Sequence, residues 1–404
     1  MAEKKIRVAM FTDELDVGKE RCPYYRRLIE QLLKEPEIEL TLIHAKPNPD
    51  QPLYKQTREI ILPRIELPFA SRFVSFIRFC LTTKEEWDIV HWLHPRVFPF
   101  FWLFPAKKKV IMTHAGGDVL SPTDFFSLPR LVFNYTLIWF SRHVDAFLGV
   151  SNYGVREIIY AYGVSPDKVF TVLPAVDQMY ETLPSDEHIA STVKKYGLEK
   201  GKYILFLGRF RLHKHVGHLV RSYIRYREQN PHAKEILALA GSTKAEYDRT
   251  FGELPDSPFT SDIKFVGYVE TDDVPSIYAG AMVISFVTLS EGFGMPIIEG
   301  GACEVPIIVS NATASPEAAG DAAIVVDPHD EQALADAFSL VKKPEVRKTL
   351  IERAYKRSRF FTIEMSTRST IAVYKRVLCL TKHLQYNEKP TPTFVPYETD
   401  KLYD

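Results

Sequence analysis

The run KYILFLG at 202–208, closed by Gly208 and followed by the cationic loop RFRLHKH at 209–215, restarts a pattern that the chain has already run once. Upstream, IRVAMF at 6–11 is followed by YYRRLIEQLLKE, and further β-branched runs stand at 38–45 (IELTLIHA), 88–93 (DIVHWL), 108–115 (KKVIMTHA) and 146–151 (AFLGVS). Downstream come EILALAGS at 235–242, IKFVGYV at 263–269, MVISFV at 282–287, VPIIVS at 305–310 and AAIVVD at 322–327. A short apolar run followed by an amphipathic stretch predicts a strand and then a helix, and their alternation predicts a parallel sheet covered on both faces. Two such series predict an α/β chain of two Rossmann-like lobes facing each other across a cleft. The first lobe is expected over 1–178, a polar linker over 179–201, and the second lobe over 202–364. A long helix is expected from Pro344 to about Leu380, with the segment from about 365 to 404 packing back on the first lobe.

Composition narrows the function classes. The 404 residues are 46% hydrophobic and 25% charged, which excludes disordered and fibrous proteins. Lys plus Arg and Asp plus Glu both number 51, so no global field exists to wrap nucleic acid, and any phosphate recognition must be local. Cys22, Cys80, Cys303 and Cys379 form no Cys-x-x-Cys pair, which points to free thiols in a reducing compartment. The opening MAEKKIRVAMFTDE lacks a signal-peptide core, and no apolar run reaches the 18 or so residues that a spanning helix needs. A cytoplasmic location is expected.

Open parallel sheets bind ligands at the carboxyl ends of their strands, so the useful residues should follow strands. Neither a Gly-x-Gly-x-x-Gly nor a P-loop stands there, so the dehydrogenase and NTPase readings lack their phosphate cradles. Instead, SEGFGMPIIEG at 290–300 follows MVISFV, turns on two glycines and opens an apolar helix whose first N–H groups suit an anion. Glu291 and Glu299 are eight residues apart, one in the loop and the other expected about two turns into the helix. A carboxylate accepts hydrogen bonds from sugar hydroxyls, which a cation cannot do. Arg209 and Lys214, directly after a strand, can clamp a diphosphate, the first by its planar fork and the second as a point charge. Taken alone, each of these features also fits a solvated loop.

The ordered set of Gly208-Arg209 with Lys214, AGS at 240–242, FVGYVETDDVPSIYAGA at 265–281, EGFGMPIIEG and SPEAAGDAAIVVDP at 315–328 resembles the nucleotide-sugar lobe of the family-4 retaining glycosyltransferases of GT-B fold. Echoes continue through DIVH at 88–91, THAGGDV at 113–119 and VSNYGVREIIYAYGVSPDKVFTVLPAVD at 150–177. The resemblance implies a hexosyltransferase in which Arg209 and Lys214 bind the donor diphosphate. Glu291 and the backbone of Phe293, Gly294 and Met295 would hold the transferred sugar, and Glu299 the ribose. Tyr268 and Val269 match the segment bordering the base, and His114 the histidine near the reaction centre. His91, with Asp13, Asp16 and Gly18 after the first strand, falls on the acceptor side. His215 and Glu304 stand where the family usually has glycine, and TDELDVGKE has only Gly18 where many relatives carry a glycine pair.

The resemblance also implies retention of anomeric configuration, with the departing diphosphate taking the acceptor proton. No Asp-x-Asp occurs, so a metal-independent reaction is expected, with no cofactor beyond the donor substrate. Segment 310–328 favours a GDP-mannose type donor over a UDP-linked hexose by similarity to mannosyl- and related transferases. The alternatives are an inverting transferase using Asp13 or Asp16 as base, a nucleotide-sugar epimerase, and a non-catalytic nucleotide-sugar-binding protein.

Residues 69–147 hold 13 Phe, 4 Trp and 1 Tyr among 79 residues, about twice the chain's 12% aromatic share. Arg72 and Arg78 lie among phenylalanines, and FPFFWLFPAKKK ends in Lys107, Lys108 and Lys109. Such a mixture suits either a filled core or a lipid interface. The acceptor is therefore expected to be a sugar or a lipid-linked glycan, with peripheral contact at the inner face of a membrane.

Overall fold

A computed structural model describes residues 5–12, 23–45, 47–48, 51–62, 71–94, 100–113 and 138–379. The chain divides into two compact units, the first built from the residues up to Ala175 together with a segment that begins at Thr362, the second from Val176–Phe361.

In the first unit β1 (Ile6–Phe11), α1 (Pro23–Leu32), β2 (Ile38–His44), β3 (Arg58–Ile61), α2 (Ser71–Thr82), β4 (Trp87–Trp92), β5 (Ala106–Thr113), β6 (Ala146–Gly149), α3 (Asn152–Tyr162) and β7 (Val169–Thr171) follow in order. The strands form one sheet, β3-β2-β1-β4-β5-β6-β7, and every pair is parallel. Central strands read as nearly unbroken apolar runs because both faces are covered; Val8, Met10, Ile89, Val90, Val110 and Ile111 have no exposed surface. On α1, Tyr24, Tyr25, Leu28, Ile29 and Leu32 recur at helical spacing and join that core. The opposite face of the sheet is aromatic, with Phe11, Phe76, Trp87, Trp92, Phe101 and Phe104 in one cluster.

The second unit opens with α4 (Asp186–Lys195), inside the stretch read from sequence as a linker; its Ile189 and Val193 are buried and it packs on a later helix of the same unit. Next come β8 (Tyr203–Leu207), α5 (Val216–Gln229), β9 (Ile236–Ala240), α6 (Lys244–Phe251), β10 (Ile263–Gly267), α7 (Val274–Ala279), β11 (Val283–Phe286), α8 (Met295–Ala302), β12 (Ile307–Ser310), α9 (Ser315–Ala319), β13 (Ile324–Val326), α10 (Glu331–Leu340) and α11 (Pro344–Ser358). Its sheet runs β10-β9-β8-β11-β12-β13, again all parallel. Both units are therefore Rossmann-like, and in each the order reverses at one place: between β1 and β4, and between β8 and β11.

The long helix expected from Pro344 to about Leu380 is two helices. α11 stops at Ser358, and α12 (Ile363–Val377) starts afresh behind Thr362, whose hydroxyl caps Met365 N–H at 3.2 Å. Between them Phe361 is buried against Phe293, ring centroids 5.2 Å apart, so the chain turns where two phenylalanines anchor it. α12 belongs to the first unit. Tyr24 and Ser366 hydroxyls lie 2.6 Å apart, Lys375 pairs with Glu37 at 2.5 Å, and the Tyr374 hydroxyl is 2.6 Å from His91 Nδ1.

Candidate functional site

The reversal between β8 and β11 leaves a crevice at the strands' carboxyl ends, flanked by the two loops that carry the strongest sequence signals. After β8 the chain passes Gly208 and enters the turn Leu212–Lys214. Two contacts fix this path. Ser242, after β9, accepts a hydrogen bond from Phe210 N–H at 3.1 Å. Gly241, at φ 95°, runs so close to Gly208 that an added Cβ would meet its carbonyl oxygen at 2.7 Å, which explains the glycine of the AGS segment.

After β11 the chain is tied to the β8 loop by Leu289 N–H donating to the His213 carbonyl at 2.8 Å. Glu291 N–H donates to the Thr313 hydroxyl at 2.9 Å, and Thr313 holds left-handed backbone at φ 52°, costly for a β-branched residue. Thus held, Glu291 Oε1 meets Lys214 Nζ at 2.5 Å, with Nζ also 5.0 Å from the centre of the Phe286 ring. Both side chains are mostly covered. Two residues 77 apart in sequence therefore form a charged pair at the switch point of the sheet. Arg209 is exposed beside them and has no hydrogen bond or ion pair among the described residues.

Gly294, at φ 97°, turns the chain into α8, and a Cβ there would meet Ile297 Cδ1 at 2.8 Å. Phe293 is buried and Met295 begins the helix, so the N–H groups of its first turn open beside Glu291. Glu299 is the fifth residue of α8, one turn in rather than the expected two, because the helix starts only at Met295. Tyr278 donates to its Oε2 at 3.1 Å, and burial, reinforced by the charge of Asp177, raises its carboxyl to about 7. Tyr268 is exposed after β10, with Val269 buried beside it.

The remaining candidates stand apart. His91 is wholly buried in the first unit. Burial lowers its imidazole to about 3, so it is neutral; Nδ1 lies 2.6 Å from the Tyr374 hydroxyl, and Nε2 has no partner among the described residues. It ties α12 to the sheet and offers no exposed surface to an acceptor. Asp13, Asp16, Gly18 and His114 lie outside the described residues.

Sequence reasoning missed Thr313, Ser242 and Tyr278, which set the geometry of Glu291, the Arg209 loop and Glu299. All three sit inside segments singled out above, but nothing in the spacing says that their hydroxyls reach across to other loops or helices.

A family model described as "Glycosyl transferases group 1" matches residues 189–357, and one described as "Glycosyltransferase Family 4" matches residues 24–179. The O-antigen chain mannosyltransferase B of Escherichia coli is 30% identical over 230 residues, covering 56% of this chain; the chain spans 60% of that relative's length. Among solved structures, a glycosyltransferase from Rickettsia africae superposes with a TM-score of 0.67 at 19% identity, covering 93% of this chain and 99% of the other. The structure of Anabaena HepE in complex with UDP and glucose gives a TM-score of 0.69 at 15% identity, covering 92% and 100%.

Proposed function

Because the chain belongs to the family-4 glycosyltransferases of GT-B fold, we propose that it moves a hexose, mannose in preference, from a nucleoside diphosphate to a hydroxyl acceptor with retention of configuration. The observation that carries this reading is the Lys214–Glu291 pair at the β8/β11 switch point, with the exposed Arg209 and the opening of α8 around it. Arg209, Lys214 and the first N–H groups of α8 surround a diphosphate and stabilise the charge that grows on it as the bond to the sugar breaks. Glu291 and the loop backbone hold the sugar. Glu299 and Tyr278 take the ribose hydroxyls.

The acceptor hydroxyl attacks the anomeric carbon from the face that the diphosphate leaves. The sugar–oxygen bond to phosphate breaks as the bond to the acceptor oxygen forms, and the hydroxyl proton passes to the departing phosphate oxygen. Cationic side chains fill the role of a bridging metal, so the reaction needs none. The mannosyltransferase relative favours mannose, and the HepE complex favours a nucleotide sugar as the donor class. The acceptor in this reading is a glycan or lipid-linked glycan at the inner face of a membrane; among the described residues no helix is long and apolar enough to cross one.

Transfer is tested by following nucleotide-sugar consumption with glycan acceptors in excess EDTA. Acceptor-dependent consumption at nearly the full rate is expected. Consumption only after Mn²⁺ is restored rejects metal independence. Conversion of donor without acceptor favours an epimerase.

A further inference from the structure

The aromatic excess of 69–147 divides in two. Trp87, Trp92, Phe76, Phe101 and Phe104 are core. Others come to the surface together: Leu81 is 73% and Trp139 71% exposed, and Phe100, Leu103 and Ile138 stand out beside them. They belong to three segments that each end where a strand begins: α2 before β4, the turn Phe101–Leu103 before β5, and Ile138–Phe140 before β6. Since β4, β5 and β6 are adjacent and parallel, these starts make one edge of the sheet. The segments touch, with Trp102 stacked on Phe140 at 3.8 Å and Phe79 of α2 6.1 Å from Phe104. Phe100 presents its ring from left-handed backbone at φ 69°, an uncommon state for a bulky residue.

This is the edge opposite the carboxyl ends, where ligands of such sheets bind. The eight residues of β5 separate the two edges by about 26 Å. A surface so placed lies away from the ligand edge of its own sheet. It is free to hold something else while transfer proceeds.

Charge identifies the occupant. The lysine run expected to meet lipid is engaged by partners within the first unit, with Lys107 exposed and Lys108 and Lys109 half-buried. Lys107 pairs with Asp88 at 2.7 Å and Lys108 with Asp145 at 3.0 Å, while Lys109 is half-buried and donates to the Ala106 carbonyl. Arg78, Lys84 and Arg142 are instead exposed around the rings, and none pairs with a carboxylate among the described residues. Protruding aromatic and aliphatic side chains ringed by cations without a carboxylate partner among the described residues match the headgroup layer of an anionic bilayer.

We propose that this edge of the first unit seats on an anionic membrane, with Trp139, Phe100 and Leu103 at headgroup depth and Arg78, Lys84 and Arg142 on lipid phosphates. It deepens the membrane-linked acceptor of the proposed function and rests on that reading for its purpose, though not for its test.

The test is flotation of the full chain with vesicles of phosphatidylethanolamine and phosphatidylglycerol, against phosphatidylcholine alone, at low and high salt. Binding to the anionic vesicles at low salt and release at high salt are expected. Changing Arg78, Lys84 and Arg142 together to Gln should weaken partitioning on the order of a hundredfold. Trp139→Ser with Leu103→Ser should weaken it at least about tenfold, whereas Lys107, Lys108 and Lys109 changed together to Gln should bind as wild type. Absence of flotation, or loss confined to the lysine-run variant, overturns the proposal. Concentration-dependent self-association abolished by Trp139→Ser, without flotation, overturns it in favour of contact between copies. Nucleoside diphosphate titrations on the same preparations separate the two readings, since a chain that floats but binds no nucleotide keeps this one and loses the transferase.

Discussion

Glu299 carries the most specific prediction at the scale of a single residue. Burial holds its carboxyl at about 7, above the ordinary range, with Asp177 adding to the shift and the Tyr278 hydroxyl opposing it. A protonated carboxyl keeps one acceptor but loses the charge that makes it a strong partner for two ribose hydroxyls. Donor affinity should therefore rise as pH rises through 7, by about tenfold between pH 6 and pH 8 if only the ionised form binds. Glu299→Gln should flatten this profile at the weak-binding level. A pH-independent donor KM in the wild type removes Glu299 from the donor site. The linked effect on folding has the opposite sign, because a raised carboxyl favours the fold at low pH and that contribution fades as pH climbs through 7.

At the scale of elements, two departures from the family's glycines have become visible as backbone. His215 precedes α5 at φ 55° and Glu304 follows α8 at φ 58°, both left-handed. At Glu304 the bonding is a Schellman motif, with Val305 N–H on the Gly300 carbonyl at 3.2 Å and Glu304 N–H on the Gly301 carbonyl at 3.1 Å. Glycine suits that position. Glu304→Gly should stabilise the protein by about 1 kcal/mol, seen as a higher urea midpoint at unchanged slope, while Glu304→Ala should change little. A lower midpoint for the glycine variant contradicts the assignment. Central elements were legible in the sequence because buried parallel strands read as apolar runs. β3 and β7 were not, since they are edge strands of four and three residues with partly exposed side chains. The break at 359–362 escaped notice because it is set by the burial of Phe361, a tertiary event, and not by a glycine or proline.

For the whole molecule, the return of α12 to the first unit depends on pairs far apart in sequence. Tyr374 and His91, 283 residues apart, form a buried hydrogen bond between the hydroxyl and a neutral imidazole. Tyr374→Phe leaves that ring with no partner at either nitrogen and should cost about 1 to 3 kcal/mol in urea unfolding; an unchanged midpoint shows the bond to be dispensable. His91 itself shows what the sequence could not convey: its place at a strand end suggested a ligand-facing group, but only packing against α12 reveals that it is enclosed. The residues of the second unit were more legible, because Arg209, Lys214 and Glu291 follow strands whose order brings their loops together. In the proposed reaction the β8 and β11 loops hold a donor diphosphate through Lys214. Calorimetric titration of GDP and UDP into the wild type and into Lys214→Ala tests it most directly. Saturable binding of at least one nucleotide by the wild type and a loss of about 2 to 4 kcal/mol in the variant are expected. Equal binding by a folded Lys214→Ala protein would contradict it.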